Sequence, residues 1–580
     1  MTDVIRRRTG AASAELKSAS APELIKRLYA SRGVKRADDI DLALRHLVPP
    51  TQLAGARDAA ALLADAIEGE ARVVIVGDFD ADGATSSALA VSVLRQMGLE
   101  EVSYLVPNRF EFGYGLSPEI VALAAEREPD LIVTVDNGIA SYAGVATAQG
   151  LGISVLITDH HLPGSELPTA DVIVNPNQPG CTFPSKALAG VGVMFYVLTA
   201  LRAELRNRGW FEATGREIPN LGDVLDLVAL GTVADVVPLD RNNRILVAAG
   251  LERIRSGRAR PGIEALLEVA GRNPANITTS DLGFILGPRL NAAGRLDDMS
   301  IGIECLLAEN SVAARPLAQR LHDLNRERRD IEAGMQEEAL AKLEQMDVTG
   351  EQIPFGLCLY DAGFHQGVVG ILASRLRERY HRPTIVFADA GNGELKGSGR
   401  SIQGLHLRDV LDRVATTHAG LITKFGGHAM AAGLSIAVQD YPAFAEAFDR
   451  AIAEALNHRA PEPVIDTDGL LAQQDLTLDV AEGLQRYGPW GQHFPEPVFD
   501  GVFTVINQRL VGEKHLKLVL AAHGMQFDAI AFNVDTAIWP DDQISALTAV
   551  FKLDVNDYRG DRKLQLVIEH LWPGDSLSYI

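Results

Sequence analysis

Apolar residues in the first half of the chain come in short β-branched runs, separated by stretches in which they recur every three or four positions. The runs are ARVVIVG (71–77), VSYLVP (102–107), LIVTVD (131–136) and ISVLITD (153–159), with helical patterns from about Thr85 to Met97 and near 117–127. Strand-length runs alternating with helix-length patterns predict a parallel sheet with helices on its faces. DVLDLVALGTVAD (223–235) reads as a helix. Residues 310–346 are rich in Ala, Leu, Glu and Arg with few breakers, predicting one long helix that begins near Pro316. A second α/β block follows, with PFGLCLYD (354–361) and RPTIVFAD (382–389) as strands and glycine-rich turns between its helices. HRAPEPVIDTDG (458–469) has the proline and acid content of a boundary. Beyond it come VFTVINQRLVG, HLKLVLAAH, MQFDAIAFN, ISALTAVFKLDVND and RKLQLVIEHLW, five strand-like segments that fit a small barrel such as an OB-fold.

The expected fold class is therefore α/β: two α/β lobes joined by a long helix, plus a C-terminal β-barrel. Its segments are a helical lead-in at 1–50 with a turn at Pro49-Pro50, a first lobe at 51–310, the connecting helix at 311–346, a second lobe at 347–460 and the barrel at 465–580.

Composition narrows the class. A chain of 580 residues is too long for one core. With 47% hydrophobic and 22% charged residues it reads as an ordinary globular protein. No apolar stretch has membrane-spanning length, and the N-terminal arginines are followed by no apolar segment of a secretory signal. Cys181, Cys305 and Cys358 are scattered and form no zinc pattern, so a reducing cytoplasm is expected. The net charge of −22 argues against a protein that coats nucleic acid, though a local groove is still open to one. Arg253, Arg255, Arg258 and Arg260, and Arg326, Arg328 and Arg329, are basic runs that read equally as a binding patch or a solvated face.

Candidate chemistry sits where apolar runs end. The first run leads into Asp78, Asp80 and Asp82, three alternating carboxylates that repel one another unless a cation joins them. Oxygen-rich clusters suit hard divalent ions. Asp-x-Asp-x-Asp-Gly also opens an EF-hand loop, but its twelfth position here is Leu89 where that loop needs Glu. Two further runs end in Asp136-Asn137-Gly138 and Asp159-His160-His161, and the predicted helix 223–235 ends in Asp235. Ligand groups of open parallel sheets gather at the carboxyl ends of strands. Any one of these segments alone would be an ordinary turn or surface pair, whereas together they predict a shared site.

In this order and spacing, Asp-x-Asp-x-Asp-Gly, Asp-Asn-Gly, Asp-His-His and Gly-x-x-Ala-Asp resemble the DHH phosphoesterase superfamily. Gly-Gly-His-Ala-Met-Ala-Ala-Gly (426–433) resembles the signature of the DHH-associated domain. GPRLNAAGR (287–295), GSGRS (397–401), the long helix and the barrel narrow the resemblance to bacterial exonucleases that degrade single-stranded DNA 5′→3′ in repair and recombination. The resemblance implies two divalent ions, manganese or magnesium. Asp80 would hold one, Asp82, His160 and Asp235 the other, and Asp136 would bridge them, with Asp78 supporting the cluster. Asp159 would orient neighbouring groups and His161 would face the scissile phosphate. Arg109, Arg289, Ser398 and Arg400 resemble a pocket for the 5′-terminal phosphate. Gly426, Gly427 and His428 would let backbone and imidazole donors reach a phosphate oxygen.

Single-stranded DNA is the implied partner, with single-strand-binding protein and a helicase as further ones and no membrane. Phe112, Tyr114 and Phe364 lie near motif turns and could stack bases or simply pack. Lys514 and Lys517 are candidates on the barrel. Two other readings share the motifs: a phosphodiesterase for very short oligonucleotides, 3′,5′-bisphosphates or cyclic dinucleotides, and a scaffold that has lost its metals. The lead-in and barrel favour a polymer over the first, and the intact acids argue against the second.

Overall fold

The strand Val73–Gly77 lies second in a five-stranded parallel sheet whose order is Val102–Leu105, Val73–Gly77, Leu131–Val135, Ser154–Thr158, Val172–Val174. The chain thus runs outward in both directions from the first strand, and the order reverses between Val73–Gly77 and Leu131–Val135. Such a switch point opens a crevice at the strands' carboxyl ends. Register sharpens the placement: Gly77 is level with Val135, and Val135 with Thr158, so Asp78, Asp136 and Asp159 leave three adjacent strands at one height.

Side-chain alternation divides this sheet's two faces. Val74, Val76, Ile132, Val155 and Ile157 pack with Ile120, Val121, Val145 and Ala148 of the helices Pro118–Ala125 and Tyr142–Gly150. The helices Ala81–Met97, Gly190–Asn207 and Leu225–Ala234 pack on one another, and the first and second also meet the sheet. The strand Val172–Val174, too short to stand out in the pattern, closes one edge.

The computed structural model describes residues 4–107, 115–345, 353–459, 461, 463–558, 561–574 and 578–579. They form two compact units: one of residues 6–323 and 466–576, the other chiefly of 324–465. The barrel and most of the lead-in thus cluster with the first lobe, and the division falls inside the long helix. That helix runs Ser311–Gln345, five residues ahead of Pro316, because Asn310 caps it by accepting the Ala313 N–H at 3.0 Å. The lead-in is not purely helical, since Val4–Arg7 is a strand.

The barrel closes in the order Phe499–Val511, His515–Ala522, Met525–Ala531, Asp561–Pro573, Ala546–Tyr558, with only the third and fourth of these parallel. Leu516, Leu518 and Leu520 fill its interior by strand alternation. Residues 466–498 are not part of it; they carry the helix Leu478–Arg486 and pack Trp490 and Phe494 against Tyr29.

In the other unit a five-stranded sheet runs Lys424–Gly427, Ala431–Ala437, Glu394–Arg400, Thr384–Gly391, Leu357–Tyr360. Helices Leu407–Thr417 and Tyr441–Ala455 fill the core on one face. Helix Val369–Tyr380 and Met335, Ala339 and Leu343 of the long helix pack on the other. Residues 397–400 of GSGRS therefore lie in a strand, and Gly397 and Gly399 leave room for Phe387 and Leu407 beneath it.

Candidate functional site

Asp80 caps the helix Ala81–Met97, accepting the Gly83 N–H at 3.0 Å. This helix starts four residues before its amphipathic pattern does, which puts Asp82 in the first turn. Asp82 is buried and accepts the N–H groups of Gly190 and Val191 at 2.6 and 2.9 Å, from the first turn of the helix Gly190–Asn207. Two helix N-termini thus bring partial positive charge to the acids, and each Asp82 oxygen keeps a second lone pair. Asp136 ends its strand with a left-handed φ of 64°, a conformation tolerated by Asp in tight turns. Asn137 locks that turn by donating to the carbonyls of Val76 and Val135.

Ligand atoms converge in three groups, each within 4.8 Å: Asp78, Asp80 and Asp136; Asp82, His160 and Asp235; and Asp136, His160 and His161. His160 Nε2 links the sets, 3.1 Å from Asp136 Oδ1 and 3.5 Å from Asp235 Oδ2. Asp235 is brought in by the C-terminal end of the helix Leu225–Ala234, and its buried Oδ2 has no hydrogen-bond partner. Glycines permit the approach: a Cβ at Gly231 would stand 2.9 Å from Asp82 Oδ1.

Asp159 has a different environment. Its oxygens accept N–H groups from Ile139, His160 and His161, and Oδ1 lies 2.8 Å from His161 Nδ1. Burial alone would raise its pKa, but the hydrogen bond and charge of His161 together with the Ile139 N–H hold it below the usual range. Conversely, burial works against protonated His161, and Asp159 overrides it and raises the imidazole. The pair fixes the ring through Nδ1.

Electrostatics test whether divalent ions fit. Burial first, then neighbouring carboxylates, push Asp136 and Asp235 well above the ordinary range; burial and Asp80 push Asp82 up to about 7. Five acids and an imidazole crowded this way repel one another, and the helix ends offset only part of that charge. Hard oxygens with one borderline nitrogen are the donors that manganese and magnesium accept, and the unbonded Asp235 Oδ2 faces the same cluster. The residues fit the group.

The residues expected to meet phosphate lie in both units. In the first, Arg289 is buried on the helix Gly287–Leu296, donates to the Ile285 carbonyl at 2.6 Å and approaches His322 Nδ1 at 3.2 Å. In the second, strand register sets Ser398, Gly433 and Gly426 in one row, with Arg400 two residues along on the same face. Arg400 Nη1 donates to Ser398 Oγ at 3.1 Å. A Cβ at Gly370, in the first turn of the helix Val369–Tyr380, would stand 2.9 Å from both side chains. Beside them a Cβ at Gly426 would meet nothing within 4 Å. The result is an open glycine floor, a guanidinium, a hydroxyl and a helix N-terminus, a donor set that suits an anion. Burial and Arg377 lower the Arg400 pKa, which a bound anion would oppose. Gly427 has φ 137° at the hairpin, and His428, exposed, donates its N–H to the Ala431 carbonyl.

Arg109, Phe112 and Tyr114 lie outside the described residues. Phe364 is buried among Leu359, Val368 and Leu372, so it packs rather than stacks bases. The 253–260 arginines are tied down: Arg253 to Asp223, Arg255 to the Ile277 carbonyl, Arg258 to Ser256 and Arg260 to Asp226 and the Leu306 carbonyl. Sequence reasoning missed Asn291, which accepts the Ala81 N–H at 2.8 Å, and the Gly190-Val191 amides. The Asn of NAAGR and the Gly-Val-Gly at 190–192 were the available signals.

Residues 72–232 match the DHH family N-terminal domain, 353–454 the DHHA1 domain and 467–570 the RecJ OB domain. A Dickeya dadantii protein named single-stranded-DNA-specific exonuclease RecJ is 58% identical over 569 residues, covering 98% of this chain and 99% of its own length. Its Escherichia coli namesake is 54% identical over 571 residues with the same coverage. The crystal structure of RecJ in complex with Mn2+ from Thermus thermophilus matches all of this chain and 80% of its own, with TM-score 0.81 and 29% identity. The Mg2+ complex from the same organism gives 0.75 and 27% over 79% of that chain. In domain content, near-complete sequence coverage and fold, the chain belongs to the RecJ family.

Proposed function

We propose that the chain is a metal-dependent exonuclease that hydrolyses single-stranded DNA from its 5′ end to mononucleotides. The observation that carries this is the convergence of Asp78, Asp80, Asp82, Asp136, His160 and Asp235 at the sheet's switch point, in a chain alike along its length to single-stranded-DNA-specific exonucleases. Asp78, Asp80 and Asp136 would hold one divalent ion, and Asp82, His160 and Asp235 the other, with Asp136 close to both sets. When bound, the ions supply Lewis-acid charge to the attacking and leaving oxygens of an in-line displacement. Asp159 orients His161, whose raised basicity keeps a proton available to a phosphate oxygen. Backbone N–H groups at 190–191 hold Asp82 in place for its ion.

Ser398, Arg400, Gly426, Gly427 and His428 bind phosphate in the second unit, and Arg289 and Arg109 serve the terminal phosphate. An end pocket explains exonuclease rather than internal cutting. The barrel supplies a groove for the strand beyond the site, with Lys514 and Lys517 as phosphate contacts. Single-strand-binding protein and a strand-separating helicase are proposed partners, and the cytoplasm the proposed location. Among the described residues no helix is long and apolar enough to cross a membrane.

The test is end-labelled DNA with Mn2+ or Mg2+. Label at the 5′ end of a single strand should appear at once as mononucleotide, with blunt duplex spared. Equal cutting of duplex, or early release from 3′-labelled ends, rejects the proposal.

A further inference from the structure

Apolar side chains stand exposed on segments that adjoin the acid cluster. Phe284 is 79% exposed, Leu162 65% and Val236 62%. Leu162 directly follows His161, and Val236 directly follows Asp235. Val236 has φ 61°, a left-handed backbone that a β-branched residue holds only under strain. Phe284 stands at the centre of a π-turn, Leu282–Leu286. A Cβ at Gly283 would lie 3.3 Å from Val233 Cγ1, and one at Gly287 would lie 3.1 Å from Ala234 Cβ, so the turn rests on the two residues that precede Asp235. The helix that follows reaches the acidic motif, where Asn291 accepts the Ala81 N–H. Arg289 braces the turn through the Ile285 carbonyl.

Single exposed apolar residues are ordinary. Here, however, the largest of them is held out by a π-turn, and one neighbour by a strained backbone, two devices that gather at functional sites. The acids and their ions deal with phosphate and offer nothing to the rest of a nucleotide, whose base is flat and apolar on its faces. A protein docked on these segments would cover the cluster itself. The geometry points to Phe284, on a turn that rests against the residues just before Asp235, as the stacking ledge for the unpaired base of the nucleotide whose phosphodiester lies at the metal site. A base can lie on Phe284 only when its face is free, so the ledge selects single strand over duplex at the cutting site. This inference rests on the exonuclease reading.

The experiment compares two labelled single strands that differ only in abasic sugars at the two terminal nucleotides of the degraded end. Full-length protein with Mn2+ is used, and kcat/KM is measured. Stacking on an aromatic side chain predicts that the wild type discriminates against the abasic strand by about 5- to 100-fold. Phe284→Ala should lose a similar factor on the intact strand and little more on the abasic one, whereas Phe284→Trp should keep the discrimination. A Phe284→Ala enzyme that retains the full intact-to-abasic ratio overturns the ledge, and so does a Trp variant no better than Ala. If the wild type releases label from neither strand, the exonuclease reading fails instead. Anisotropy binding of the same strands then decides the ledge by the same ratio.

Discussion

Gly190 and Asp136 are in such close contact that a methyl group at position 190 would stand 2.6 Å from Asp136 Cβ and 2.7 Å from its Oδ1. The helix start that carries Gly190 also donates two N–H groups to Asp82. One glycine therefore sets the distance between the acid proposed to bridge the ions and the amides that hold its neighbour. Gly190→Ala should push that helix away at an overpacking cost of about 1–3 kcal/mol. We expect folded protein with a lower melting temperature, weaker Mn2+ binding by calorimetry and hydrolysis reduced by about 100-fold or more. Unchanged Mn2+ affinity would mean that the close approach does not shape the ion site.

Removing charge from the cluster should have opposite effects with and without metal. Asp136, Asp235 and Asp82 have raised pKa values, so in EDTA the folded protein binds more protons than the unfolded chain between the ordinary carboxylate range and about 7. Stability of the metal-free protein should therefore fall as pH rises through that window. Asp136→Asn should flatten the fall and melt above wild type in EDTA at pH 7.5. With Mn2+ at a hundred times its Kd each occupied site should add about 2.7 kcal/mol to the wild type, while the variant gains little and loses hydrolysis by about a thousandfold. A variant that keeps both the Mn2+ increment and activity removes Asp136 from the ion site.

The glycine floor of the second unit separates packing from ligand binding. Space above Gly426 is empty to 4 Å, so Gly426→Ala should leave the melting temperature within about a degree. If a phosphate lies on that floor, the methyl group blocks it, and KM for single strands should rise about tenfold or more. Gly427 is the structural contrast: with φ 137° and the Ala431 carbonyl oxygen 2.5 Å from an added Cβ, its Ala variant should lose stability as well. Wild-type kinetics in Gly426→Ala would leave the floor without a substrate role.

What could be read beforehand follows from range. Val73–Gly77, Leu131–Val135 and Ser154–Thr158 were legible because buried parallel strands are continuous apolar runs, and each ends in an acid at the same register level. The helix Ala81–Met97 begins inside the acidic motif because Asp80 is its cap, a role that a reading of apolar periodicity overlooks. The Gly190–Asp136 and Gly231–Asp82 approaches, and the Asn291–Ala81 bond, join residues 54 to 210 positions apart and leave no local periodicity. In GSGRS, residues 397–400 are paired by the strands on both sides, a placement that its glycine-rich composition does not announce.

The lead-in is anchored by Arg32, which pairs with Asp468 through two hydrogen bonds of 2.8 and 2.9 Å, both side chains 1% exposed. Arg32 also donates to the Leu28 and Pro495 carbonyls. Asp468 also accepts Arg8 and the Val498 N–H, just ahead of the barrel's first strand. Breaking a buried pair on one side leaves an uncompensated charge, typically at about 3–5 kcal/mol. Arg32→Met should lower the urea midpoint accordingly, and Arg32→Lys should recover only part, since an ammonium cannot reproduce the two-pronged geometry. The double variant Arg32→Met with Asp468→Leu should be more stable than Arg32→Met alone, because it removes the stranded carboxylate. A single Arg32→Met within about 1 kcal/mol of wild type, far below the usual cost of stranding a buried charge, would show that Arg8 and the Val498 N–H suffice to hold Asp468.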